Sequence, residues 1–172
     1  MSDNRLPLAA PSMCGAIDMR IGRDGVWFYK GSPITRKEMV CLFASALKRQ
    51  EDGSFWLITP VEIARIEVED APFLAVELFS SGSGALRVVS FRTNIDELVT
   101  VDRLHPLRIE PDPKTGEPVP YVLVRDGLEA KLARPVYYEM VALGHEETTA
   151  QGTQFGLWSS GIFFPLGKLE EA

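Results

Sequence analysis

Histidine and cysteine are scarce in this chain, with two of each among 172 residues. His105 and His145 lie far apart, and no Cys-x-x-Cys, His-x-x-x-His or His-Glu-x-x-His occurs, so ligands at a metal-binding spacing are missing. Neither a structural metal nor a cofactor is expected. Cys14 falls in a Pro-rich leader and Cys41 inside a predicted amphipathic helix. Pairing them would require the leader to dock, so a reducing compartment is the better reading. Long hydrophobic runs are missing as well, and nothing approaches the roughly 20 apolar residues of a membrane span. The apolar stretch after Met1-Ser2-Asp3-Asn4-Arg5 is broken by Pro7 and Pro11, too early for a signal-peptide core. Met13-Cys14-Gly15 has the look of a lipoprotein cleavage site without the hydrophobic stretch that should precede it. The expectation is a cytoplasmic protein with no membrane partner.

Basic clusters are the next shortage. Lys and Arg number 18 against 24 Asp and Glu, giving a formal charge of −6. The arginines are scattered as Arg65, Arg87, Arg92, Arg103, Arg108 and Arg125, and the densest basic group is Arg36-Lys37 with Lys48-Arg49. Dedicated nucleic-acid binders gain affinity by neutralising phosphates with clustered cations, so nucleic acid is not an expected partner. Phosphate loops are lacking too, because Ser81-Gly82-Ser83-Gly84 joins two predicted strands and no helix N-terminus follows it. Ser159-Ser160-Gly161 fails the Gly-x-Ser-x-Gly elbow, since Leu157 and Trp158 follow Gly156. No catalytic residue is assigned.

What is present is an ordinary folding composition, 45% apolar and 24% charged. At this length folding buries roughly 70% of the unfolded surface, enough without disulfides. Residues 1–16 read as a flexible leader. Asp24-Gly25 signals a turn before a strand at Val26-Trp27-Phe28-Tyr29. A helix is expected next, capped by Ser32 with Pro33 in its first position, or by a capping box at Thr35-Arg36-Lys37-Glu38. Its apolar stripe is Met39, Val40, Leu42, Phe43, Ala46 and Leu47, with Lys48 and Arg49 suiting the C-terminal dipole. Phe55 to Ile58 reads as a strand buried on both faces, and Val61 to Val68 changes parity near Ala64-Arg65 as at a bulge. Leu74 to Leu78 and Leu86 to Phe91 suggest a hairpin. Pro111 to Pro118 reads as a surface turn before a strand at Tyr121 to Val124.

The sequence also suggests an internal repeat. Arg23-Asp24-Gly25 is matched by Arg125-Asp126-Gly127, Pro33 by Pro135, Glu38-Met39-Val40 by Glu139-Met140-Val141, and Phe55-Trp56-Leu57 by Phe155-Gly156-Leu157. The expected fold is therefore α+β, with two similar strand-helix-strand motifs joined by a mainly antiparallel β region. After the leader, residues 17–79 would form the first motif, 80–120 the connecting β segment and 121–172 the second motif.

Polar residues beside aromatic ones at strand ends are the candidates for a ligand site: Arg92, Asn94, His105, Tyr121, Arg125, Trp158 and Ser159. Longer strings carry a resemblance. Ser32-Pro33-Ile34, Trp56 to Glu62, Val68 to Phe73, Phe91-Arg92-Thr93-Asn94, His105 to Arg108 and Gly156 to Gly161 before Phe163 to Gly167 resemble a bacterial family built on a domain of unknown function. The likeness covers residues from about 17 to 167. It implies a fold of two related strand-and-helix motifs, no assigned activity and a suggested involvement in signal transduction. The reading is a non-enzymatic small-ligand-binding or regulatory module. A hydrolase using Ser160 or His105 and a protein-interaction scaffold stay open as alternatives, as do a protein partner and a homodimer.

Overall fold

A computed structural model describes residues 12–168. These residues fall into two compact units, one made of residues 12–22 with Val26–Glu69, the other of Arg23–Gly25 with residues 70–168. Residues 1–11 of the expected leader lie outside the described residues, and Ser12 to Ala16 belong to a strand.

The expected α+β class is corrected by the structure. Strands occupy 53% and helices 14%, with two α-helices and three sheets among the described residues. In the first unit, β1 (Ser12–Ile21) forms a hairpin with β2 (Trp27–Tyr29), and β3 (Ser32–Pro33) adds to β2. Ser32 and Pro33 thus pair in a sheet and cap no helix. Helix α1 (Lys37–Ala46) begins four residues later, with Arg36 at its N-cap and no side-chain cap bond. It ends before Leu47, so Lys48 and Arg49 lie in β4 (Leu47–Arg49). β4, β5 (Phe55–Ile58) and β6 (Glu62–Val68) form an antiparallel meander, and β6 then runs parallel to β1. The sheet order is β3-β2-β1-β6-β5-β4. The irregularity expected in β6 falls on β1 instead, which carries extra residues between Ala16 and Arg20. Met19, Ile21, Trp27, Ala44, Leu47, Leu57, Ala64 and Ile66 make this unit's core.

The second unit holds a six-stranded sheet of order β10-β11-β12-β7-β8-β9. Its strands are β7 (Phe73–Ser81), β8 (Val88–Thr93), β9 (Leu98–Thr100), β10 (Leu107–Pro111), β11 (Pro118–Arg125) and β12 (Leu128–Leu132). Alternation along them buries Phe73, Ala75, Val89, Phe91, Val122, Leu128 and Ala130 on one face. Asp126 and Gly127, both at positive φ, close the two-residue β11–β12 turn. Helix α2 (Arg134–Ala142) leaves directly from the end of β12, with Pro135 in its first turn, and buries Val136 and Met140 one turn apart. A three-stranded meander follows: β13 (His145–Thr149), β14 (Gly152–Ser159) and β15 (Ile162–Lys168).

Each helix therefore lies between a β-hairpin and a three-stranded meander, not between single strands. The pairing also differs: β1 runs parallel to the meander strand β6, whereas β12 runs parallel to β7 and its meander forms a separate sheet. The expected strand-helix-strand repeat is set aside on this topology.

Candidate functional site

The seven residues singled out above are distributed among several bonded groups. Arg92, Asn94 and Arg125 meet at the β8–β9 corner, where Asp96 adopts φ +62°. Arg92 pairs with Glu77 at 2.8 Å and Asp96 at 2.9 Å, and Arg125 pairs with Glu97 at 3.2 Å while lying over the Phe73 ring. The Asn94 side chain accepts a hydrogen bond from the Leu74 N–H at 3.0 Å and donates to the Gly25 carbonyl at 3.3 Å. Its polar atoms thereby stitch a turn to the start of β7.

His105 follows β9 and bonds Asp102 through Nδ1 at 2.9 Å. Burial would raise the Asp102 carboxyl, but the bonds from His105 and from the backbone N–H groups of His105 and Leu104 hold it below its ordinary value. Ser159 is fully buried; its hydroxyl accepts from the Val89 N–H at 3.0 Å and donates to the Val101 carbonyl at 2.7 Å. Ser160 donates to the same carbonyl at 2.9 Å, and with Gly161 at positive φ it forms the β14–β15 turn. On the third sheet, the Trp158 indole N–H and His145 Nε2 both bond Glu147 Oε1, at 2.9 and 3.0 Å. These two bonds, Trp158 first, pull the Glu147 carboxyl below its ordinary value.

Tyr121 stands apart from these groups. Register places Arg108, Tyr121, Lys131 and Leu74 in one row across β10, β11, β12 and β7. The Tyr121 hydroxyl donates to Asp70 at 2.7 Å, Lys131 Nζ reaches the other oxygen of Asp70 at 3.1 Å, and the Arg108 guanidinium lies over the Tyr121 ring. Burial, followed by the bond to Asp70, pushes the Tyr121 hydroxyl well above its ordinary value, so it stays protonated.

This row runs into a cleft of about 590 Å³ at one end of the second unit's large sheet. There β12 stops at Leu132, opposite Pro120, and turns into α2, while Pro118 and Val119 of β11 lie beyond its end. The walls are Leu74, Pro118, Pro120, Leu132 and the rings of Tyr137 and Tyr138. Asp24, Asp112, Glu117, Lys131 and Arg134 supply the charge. Tyr138 is 60% exposed, whereas burial raises the Tyr137 hydroxyl above its ordinary value. Asp112 accepts from the backbone N–H groups of Lys114 and Thr115, which lower its carboxyl and keep it ionised. Sequence reasoning passed over these residues. Pro111 to Pro118 read as an ordinary surface turn, and only the adjacent Tyr137-Tyr138 pair carried a signal of exposed aromatic surface.

Two family models cover nearly the whole chain: the N-terminal domain of DUF1285 over residues 7–71, and the C-terminal domain of DUF1285, a protein of unknown function, over residues 72–166. The chain belongs to the DUF1285 family. Among solved structures it is similar to a DUF1285 family protein from Silicibacter pomeroyi DSS-3, at 47% identity and a TM-score of 0.86, covering 98% of this chain and 91% of that one. It is also similar to a DUF1285 family protein from Shewanella baltica OS155, at 31% identity and a TM-score of 0.58, covering 73% of this chain and 91% of that one. No curated protein matches it. The boundary between the two DUF1285 models, at residues 71 and 72, lies beside the structural division at Glu69. The cleft therefore sits within the second unit, and all of its lining residues except Asp24 fall in the stretch matched by the C-terminal DUF1285 model.

Proposed function

We propose that the chain is a non-catalytic module that binds a small ligand in the cleft at the end of β12, with a regulatory role in signal transduction. One observation carries this reading: a concavity of about 590 Å³ that joins apolar walls, two tyrosine rings and side chains of both charge signs. Small-molecule sites have volumes of roughly 300–1,000 Å³ and this kind of mixed lining. Of the residues expected to bind ligand, Tyr121 supports the cleft through the Asp70 carboxylate it shares with Lys131. The runner-up is a hydrolase using Ser160 or His105, for which the Asp102–His105 contact is the favouring observation. Against it, the Ser160 hydroxyl is spent on the Val101 carbonyl.

The test is a thermal-shift screen of the chain and of Ala133→Trp, which places an indole in the cleft. A ligand of the folded state raises the melting temperature by mass action. A shift in the parent chain that is lost in Ala133→Trp is expected. A shift of equal size in both would remove the cleft from consideration.

A further inference from the structure

The charges around the cleft are spent within the protein. Lys131 Nζ lies 3.1 Å from Asp70, whose other oxygen accepts from the Tyr121 hydroxyl and whose side chain is only 16% exposed. Arg134 pairs with Glu117 at 3.5 Å. Asp112 accepts from the backbone N–H groups of Lys114 and Thr115, and Asp24 is not free either. A charged ligand would have to break one of these pairs or hold its own charge beside them uncompensated, and both cost affinity.

Apolar surface, an exposed ring and one carbonyl are what the lining leaves for a ligand. Leu74, Pro118, Val119 and Leu132 supply the apolar part. Tyr138 lines the cleft while 60% exposed, and its ring is tilted by 39° against that of Tyr137, with the centroids 6.0 Å apart. The carbonyl follows from the register. The Leu123 N–H bonds the Pro106 carbonyl on the β10 side, so by alternation Pro120 and Pro118 turn their carbonyls toward β12. Pro120 stands opposite Leu132, where β12 ends, and Pro118 has no strand residue opposite it. With no N–H of its own, Pro118 presents the cleft with an acceptor alone.

Taking the cleft as the binding site, as proposed above, we infer that its ligand is an uncharged aromatic ring compound that carries an N–H or O–H donor. The ring packs against Tyr138, offset or edge to face, and against the apolar walls. The donor meets the Pro118 carbonyl. A ring without the donor covers that carbonyl and leaves it without a partner, and a ring with a charged arm sets that charge among groups already paired.

The experiment is calorimetric titration of the full chain with indole, an uncharged ring bearing one N–H. Controls are 1-methylindole, which lacks the donor, cyclohexanol, which keeps a donor and lacks the aromatic ring, and tryptamine and indole-3-acetate, which add a charge of either sign. Indole binds; losing the donor or the ring weakens binding by about threefold or more, and adding either charge by about tenfold or more. Tyr138→Ala, at an exposed position, weakens indole binding, and Tyr138→Phe, which keeps the ring, restores it. Failure of indole to bind, or equal binding of any of the four controls, overturns the inference. If tryptamine or indole-3-acetate binds where indole does not, and Ala133→Trp abolishes it, the ligand class is wrong and the cleft stands. Indole binding unchanged in Ala133→Trp overturns both.

Discussion

Ser159 and Asn94 are polar residues at strand ends, next to aromatics, and nothing in the sequence separates such residues from ligand contacts. In the structure both side chains bond backbone groups. Ser159 closes both a donor and an acceptor of the large sheet, so Ser159→Ala leaves the Val89 N–H buried without its partner. The expected cost is about 1–3 kcal/mol, read as a lower urea midpoint at unchanged slope. Tyr121 behaves differently. Burial, then the bond to Asp70, holds its hydroxyl protonated in the folded state well above the ordinary value of 10.0. A raised pKa means that its contribution to stability is complete below the unfolded value and fades as pH rises past 10 toward the folded value. Tyr121→Phe is expected to be less stable than the parent at pH 7, with a shallower loss of stability above pH 10, measured by urea unfolding across that range. Asp102 and Asp112 have the opposite sign. Their lowered carboxyls contribute above the unfolded value of 3.8, and that contribution is lost as pH falls through the folded values.

At the scale of elements, turns were the most legible part of the sequence. Asp24-Gly25 and Asp126-Gly127 both sit in hairpin turns, because their backbone demands leave few alternatives. Helices misled. The apolar stripe of α1 suggested a docked helix, yet only Ala44 is buried, with Met39 at 40% and Leu42 at 67% exposure. Leu42→Gln is therefore expected to change stability by no more than about 0.5 kcal/mol, a small value for an apolar helix position, checked by thermal melting. The polar segment His145–Thr149 gave no strand signal because it is half-exposed along its length and borrows its stability from pairing with β14. Gly156 on β14 lets the third sheet close, since a Cβ there would sit 2.5 Å from the Phe163 ring and from the Phe164 carbonyl. Gly156→Ala is expected to cost about 1–3 kcal/mol or more, visible as lost near-UV ellipticity of Trp158 together with a lower melting temperature.

For the molecule as a whole, the sequence conveyed family membership and the absence of long apolar spans; no described helix is long and apolar enough to cross a membrane. It did not convey the division near residue 70, because Glu69-Asp70-Ala71-Pro72 looks like any strand-to-strand link. Nor did it reveal the cleft, which depends on β12 ending before β11 does, a difference of length between neighbours that no local pattern records. The central claim is that ligand binds at that ending. Amide hydrogen exchange on the full chain, with and without the molecule that most raises its melting temperature, tests it most directly. Slower exchange confined to residues 112–120 and 131–138 is the predicted result, whereas protection elsewhere with those two segments unchanged would contradict the account.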